Sequence, residues 1–133
     1  MKLNQVTVGC VDYDQSVAFY RQLGLTQIVY FPPRYARFET ATGETFSIHA
    51  VEKIGAPTAI IYFEHDDLDT MVAQLEAKGI VFDTGPTDQN WGWREARLRD
   101  PVGNPICLFF GGHNRRFPPW RIDNSTTEKG NKK

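Results

Sequence analysis

The chain has 133 residues, of which 41% are hydrophobic and 23% charged, and these values are typical of one compact globular domain. Its formal net charge of −1 gives no electrostatic basis for binding nucleic acid or a membrane surface. The sequence has neither the roughly 18 apolar residues in a row that a membrane-spanning helix needs nor the apolar core of a secretory signal. Two cysteines, Cys10 and Cys107, are too few for a disulfide framework, so we expect a reducing, cytoplasmic location.

The first half of the chain predicts a strand, a helix and three further strands. Residues 3–9 alternate in polarity, which is typical of a strand. Asp12 is a candidate N-cap, and Gly24 lies where a helix would end. The three further strands are expected at residues 25–30, 35–40 and 45–51. Alternation in the second of these puts Tyr35, Arg37 and Glu39 on one face, without indicating which way that face points.

The second half restarts the same order. An apolar strand is expected at residues 58–64, and Asp66-Asp67 is expected to cap a helix that ends at Gly79. A short strand at residues 80–83 and a loop containing Gly85, Pro86 and Gly92 come next. The last element is a hairpin at residues 94–110, whose turn is Asp100-Pro101-Val102-Gly103-Asn104.

Counting along the chain shows that the two halves are repeats. A shift of 55 residues places Asp12 on Asp67 and Gly24 on Gly79, and a shift of 60 places Ser47 on Cys107. We therefore predict an α+β fold built from two tandem βαβββ modules, at about residues 1–55 and 56–112, which together form a single domain. The sheets are expected to curl into a partly open mixed barrel around a cup, with the helices outside. Residues 113–133 are predicted to be a partly disordered tail.

Three motifs accompany the repeat: Asp12-Tyr13-x-x-Ser16-x-x-Phe19-Tyr20, Gly24-Leu25, and Asp100-Pro101-x-Gly103-Asn104. With the repeat they resemble the vicinal oxygen chelate superfamily, which includes glyoxalase I, extradiol dioxygenases, fosfomycin resistance proteins and bleomycin resistance proteins. The resemblance covers residues 3 to about 110 and implies a small organic ligand in the cup. Chains of this length in the superfamily usually dimerise, so we expect a homodimer.

Metal-using members take ligands, usually His, Glu or Gln, from the first and last strand of each module. The resemblance puts these positions at Gln5, Ser47, Ile60 and Cys107. Ile60 has no donor atom and Ser47 is a weak ligand, so the set is poor for a catalytic divalent ion, and we predict no metal and no cofactor. A strand slip of two residues would give Gln5, His49 and Cys107 instead, and the alternative of a metal-dependent lyase or dioxygenase-like enzyme stays open on that basis.

The residues before the last turn carry the strongest recognition signal. Glu95 and Arg97 alternate with apolar residues, and the resemblance turns both toward the cup, where an arginine can bind a carboxylate through two hydrogen bonds. The alternative is a solvent-exposed salt bridge at an open rim. Trp91 and Trp93 flank Gly92 in a loop, and we expect at least one of them to stack on a ligand rather than pack on a helix or on the dimer partner.

His49 and Tyr62 are also predicted to point into the cup. His49 has the chemistry of a general base, although a hydrogen-bonded cavity histidine is the alternative. Cys107 is expected to be a small buried hydrophobe rather than a nucleophile.

The leading functional hypothesis is metal-independent binding of an antibiotic or another polar aromatic compound, as in bleomycin resistance proteins. Whether the chain is an enzyme stays undecided, with binding favoured over catalysis. The predicted ligand-binding residues are Gln5, His49, Tyr62, Trp91, Trp93, Glu95, Arg97 and Cys107. A third hypothesis is an interaction module whose cup is filled by its own tail through Trp120, in the predicted clamp of residues 117–120.

Overall fold

A computed structural model describes residues 2–57 and 59–123. The elements in chain order are β1 (Gln5–Cys10), α1 (Tyr13–Leu23), β2 (Thr26–Phe31), β3 (Tyr35–Glu39), β4 (Thr45–Ala50), β5 (Ile61–Glu64), α2 (Leu68–Ala77), β6 (Thr84–Asp88), β7 (Arg94–Arg99), β8 (Pro105–Phe110) and α3 (His113–Arg116). Among these described residues, no helix combines the length and the apolar composition that crossing a membrane would require.

The strands form two four-stranded mixed sheets, in the orders β1-β4-β3-β2 and β5-β8-β7-β6. In each sheet the first strand of the module runs parallel to its last strand, and the remaining pairs are antiparallel. The predicted α+β fold with two tandem βαβββ modules is confirmed. The two sheets stay open and do not close into a barrel within the chain.

Both helices begin at the predicted caps. The Asp12 side chain accepts a hydrogen bond from the Gln15 backbone N–H at 3.0 Å, and α1 ends at Gly24, whose φ of 118° is left-handed. Asp67 plays the same part for α2, although its bond from the Thr70 N–H is longer, at 3.4 Å. Local sequence signals therefore fix where each helix starts.

The sixth strand does not lie where the sequence predicts it. The strand expected at residues 80–83 is wrong: β6 comprises Thr84–Asp88 and contains Gly85 and Pro86, which were predicted to lie in a loop. β6 pairs only with β7, at the edge of its sheet, and its register is irregular between Thr84 and Thr87. An edge strand with an irregular register tolerates a proline, because the missing N–H takes no bond away from a second neighbour.

One hydrophobic core joins the two modules. It is built from the helices and from the helix-facing side of both sheets. The Phe46 ring of the first module lies 6.0 Å from the Phe63 ring of the second. In both sheets the side that faces the helices contributes to this shared core, and the opposite side carries the more polar residues.

Polar contacts also tie the modules together. The buried Tyr20 hydroxyl donates to Asp100 Oδ2 at 2.6 Å, and Asn104 Nδ2 donates to the Gly9 carbonyl at 2.9 Å. Both second-module residues belong to the predicted turn, so this motif closes a hairpin and anchors that hairpin to the first module.

The chain after β8 packs loosely. Trp120 is 61% exposed, so the predicted clamp is wrong for this residue, and the structure gives no support to a cup filled by Trp120. Phe117 instead stacks on His113 and lies under the guanidinium of Arg121. The predicted disorder of the tail concerns mainly residues 124–133, which lie outside the described residues.

Candidate functional site

Strands β5, β7 and β8 present one face away from the core, which we call the module 2 face. Ala96 and Leu98 of β7 are buried in the core, so the alternating residues Glu95 and Arg97 point the other way. The register gives two rows of side chains across the three strands. The rows are Tyr62, Cys107 and Arg97, and Glu64, Phe109 and Glu95.

A charge pair between a buried Glu95 and a partly exposed Arg97 lies at the base of this face. Glu95 is 3% exposed, and its carboxylate accepts a hydrogen bond from an Arg97 terminal nitrogen at 2.8 Å and from Trp91 Nε1 at 3.2 Å. The hydrogen bond to Glu95 raises the pKa of Arg97. The alternative of a solvent-exposed salt bridge at the rim is therefore wrong. Both oxygens of Glu95 have donors, and only the Arg97 end of the pair is accessible.

Beside the charge pair stands an aromatic wall of three rings, Tyr62, Trp93 and Phe109. Trp93 stacks on Phe109 with ring centroids 4.4 Å apart, and Tyr62 meets both rings edge-on at 6.0 and 5.6 Å. The Arg97 guanidinium carbon lies 5.8 Å from the centre of the Tyr62 ring. Tyr62 is 44% exposed, so the wall is open to a ligand. The sequence prediction missed Phe109, although the alternation that gives Cys107 also gives the residue two positions later.

Cys107 lies under this face rather than on it. It is completely buried, and burial raises the pKa of its thiol to about 12, with Glu95 adding to the rise and Arg97 opposing it. The thiol is therefore protonated at neutral pH and is neither a ready nucleophile nor a ready metal ligand. This agrees with the interpretation of Cys107 as a small hydrophobe.

We expect both thiols of the native protein to resist a disulfide reagent at pH 8. Both are buried, and the folded state holds the Cys107 proton more tightly than the unfolded chain does, where a thiol titrates near 8.5. The stabilisation that results is present below the unfolded pKa of about 8.5, and it is lost as the pH rises through the folded Cys107 pKa of about 12. Titration in denaturant should count two thiols. One fast-reacting thiol in native Cys10→Ser would contradict the assignment.

The other predicted ligand residues lie on the first module. Strands β1, β3 and β4 turn a polar face away from the core, which we call the module 1 face. Gln5 lies here, and its Oε1 accepts a hydrogen bond from the Thr45 hydroxyl at 2.8 Å. His49 is exposed, opposite Tyr35 of β3. Gln5 and His49 therefore belong to the first sheet, and the other predicted ligand residues belong to the second sheet or to the loop before β7.

The residues present do not fit a divalent ion. Gln5 pairs with Thr45, and His49 lies four residues further along β4. At a rise of about 3.3 Å per residue, the backbones of Gln5 and His49 are therefore about 13 Å apart along the strands. Ser47, at another position implied by the resemblance, is buried with its hydroxyl 2.6 Å from that of Thr7. No group of three or more His, Cys, Asp or Glu side chains within residues 2–57 and 59–123 is arranged to hold a metal.

The fold consists of two βαβββ modules, and the turn from Asp100 to Asn104 links them. This combination defines the glyoxalase-type fold. The family model described as the Glyoxalase/Bleomycin resistance protein/Dioxygenase superfamily matches residues 2–108, and the chain belongs to this superfamily. A comparison with curated protein sequences gives no significant match.

Several solved structures share the fold. A glyoxalase/bleomycin resistance protein/dioxygenase from Nocardioides is 22% identical with a TM-score of 0.73, over 92% of this chain and 90% of that one. Lactoylglutathione lyase from Agrobacterium tumefaciens is 20% identical with a TM-score of 0.69, over 83% and 93%. A bleomycin-binding protein complexed with bleomycin is 23% identical with a TM-score of 0.68, over 83% and 98%. At these identities the likeness extends to the fold, and function has to be argued from the site.

Proposed function

We propose that the chain is a small-molecule-binding protein that works without a metal and holds a polar aromatic compound, such as an antibiotic, on the module 2 face. The observation that carries this proposal is the combination of an accessible aromatic wall with the buried Glu95–Arg97 pair at its base. A planar ligand group can stack on the wall, and the accessible end of Arg97 can receive an anionic or carbonyl oxygen. The bleomycin-binding relative gives bleomycin as a first probe.

The binding test uses tryptophan fluorescence. In a Trp120→Phe background the remaining signal comes from Trp91 and Trp93, and we expect saturable quenching by a bound aromatic compound. Trp93→Ala should weaken binding by about ten-fold or more, since a buried aromatic anchor commonly contributes 2 kcal/mol or more. The matched control is Trp120→Ala in place of Trp120→Phe, with Trp91 and Trp93 intact, because the Trp120 ring is 61% exposed and outside the aromatic wall. Equal loss in both variants would refute the site.

Metal content decides between binding and the metalloenzyme alternative. Purified protein is measured by mass spectrometry before and after exposure to Zn, Ni, Mn and Fe(II). Sub-stoichiometric metal under every condition supports metal-independent binding. One tight ion per chain would overturn that part of the proposal and favour a lyase or dioxygenase-like activity.

The proposal includes a homodimer in the cytoplasm. In this dimer the module 1 face of a second copy lies opposite the module 2 face of the first, and the two faces form a cup with two walls. Exposed apolar side chains next to the site, among them Ile60 at 41%, support such an interface. Light scattering should give the mass of two 15.2 kDa chains, and a monomer at micromolar concentration would contradict the dimer. Two free buried cysteines are compatible with a reducing compartment.

A further inference from the structure

The arginines on the strands differ in their partners. Of the four strand arginines in the described residues, the three on β7 each have a carboxylate oxygen within 3.1 Å. The fourth, Arg37 on β3, is half-buried and forms no ion pair with any carboxylate in that part of the chain. Glu39 shares its face two positions along the strand, yet the two side chains are not paired. A half-buried cation without a counter-charge is a natural place for an anion to bind.

A neighbouring tyrosine fixes the orientation of this guanidinium. Arg37 Nε donates to the Tyr35 hydroxyl oxygen at 2.9 Å, and the guanidinium carbon lies 5.5 Å from the centre of the same ring. Since Nε takes this bond, the two terminal nitrogens keep their donors for a ligand. Two parallel N–H groups held in one plane match the geometry of a carboxylate or a phosphate.

Hydroxyl groups continue the polar surface from Arg37 across the sheet. The register puts Arg37 opposite Ser47, and Ser47 opposite Thr7, in one row over three strands. The Tyr35 phenol also interacts with this row. Partial burial acts to raise its pKa, but hydrogen bonds with Ser47 and Arg37 lower it more, so the pKa of Tyr35 lies below its usual value. Arg37, Tyr35 and Thr7 therefore provide a cation and hydroxyl donors on one accessible face.

We propose that Arg37, Tyr35 and Thr7 form an oxyanion site on the module 1 face, which takes a carboxylate or a phosphate group. The site uses a different sheet face and none of the residues of the aromatic wall. In the proposed dimer it lies on the second wall of the cup, so it deepens the proposed function by adding the class of group bound there. It requires no second chain.

The test titrates the full-length protein with inorganic phosphate and, separately, with acetate, at constant ionic strength. The backbone N–H resonances of Thr7 and Ser47, which are present in the wild type and in every variant, report binding in the NMR spectrum. We expect saturable shifts, and at least about ten-fold weaker binding in Arg37→Gln, since the ligand loses hydrogen bonds to a charged group, which are stronger than neutral ones. Arg34→Gln is the matched control, because it removes an exposed charge three residues away and should change the affinity less than about two-fold. The probe that binds more tightly identifies the class of oxyanion.

Non-saturable shifts, or equal weakening in Arg37→Gln and Arg34→Gln, would overturn the proposal and leave only general electrostatic attraction. If Arg37→Gln does not fold, Arg37→Lys takes its place, because it keeps the charge and removes the paired donors. Binding at least about five-fold weaker in Arg37→Lys supports the site, and unchanged binding overturns it. Failure of this experiment leaves the tryptophan quenching test of the module 2 face unaffected, so the two outcomes are separable.

Discussion

Replacing Asp100 with alanine is expected to lower the free energy of unfolding by about 3–5 kcal/mol, the range for removing one partner from a buried charged network. The Asp100 side chain is 5% exposed and accepts four hydrogen bonds. They come from the Tyr20 hydroxyl at 2.6 Å, the Val102 N–H at 3.1 Å, and the N–H and side-chain amide of Asn104 at 2.8 Å each. The substitution therefore loosens the turn and its link to α1 at once.

Tyr20→Phe separates these two contributions. It keeps the ring in the core and the turn intact, but it removes the hydrogen bond from the Tyr20 hydroxyl to Asp100 across the two modules, so we expect a loss of about 1.5–3 kcal/mol. Burial and the neighbouring Asp100 carboxylate raise the pKa of Tyr20, which keeps the hydroxyl protonated in the neutral range. Urea denaturation of both single variants and the double variant measures the coupling. Additive losses would mean that the hydroxyl and the carboxylate do not act as a pair.

The elements predicted correctly from sequence are those specified by local signals. Asp12 and Asp67 cap their helices because a side-chain oxygen satisfies an N–H that has no partner within the helix. The turn at Asp100 to Asn104 is specified in the same way, by residues that bond to their own backbone. The position of β6 is predicted wrongly because Gly85 and Pro86 indicate a loop, whereas its strand conformation comes from pairing with β7. Tertiary pairing of this kind has no local signature.

For the candidate site, too, local patterns predict some features and packing between strands determines the others. Alternation put Glu95 and Arg97 on one face, and it also grouped Tyr35 with Arg37, but a period of two cannot say which face the core covers. The burial of Glu95 and the stacking of Phe109 on Trp93 follow from packing across strands, which a single sequence does not reveal. The sequence also does not predict how the polar faces of the two modules are oriented relative to one another, because different orientations use the same hydrophobic pattern.

The second large effect concerns the charge pair, and we expect it to be non-additive. Arg97→Met removes the cation and leaves the Glu95 carboxylate 3% exposed with Trp91 as its remaining donor. Losing one member of a buried pair costs about 3–5 kcal/mol, but the Arg97 side chain is 34% exposed and solvent screening reduces the loss to about 2 kcal/mol. Replacing both residues, as Glu95→Leu with Arg97→Met, should restore most of this stability, since no unpaired charge stays buried.

Stability and binding should then separate, and that separation identifies the role of the pair. If Glu95 and Arg97 recognise a ligand, the double variant is nearly as stable as the wild type in urea, but the aromatic probe no longer quenches its tryptophan fluorescence. Arg94→Met is the matched control, because Arg94 pairs with the exposed Asp69 and Asp88 and should affect both readouts far less. A double variant that binds the probe like the wild type would show that the pair only supports the sheet, and ligand recognition would then have to come from the aromatic wall alone.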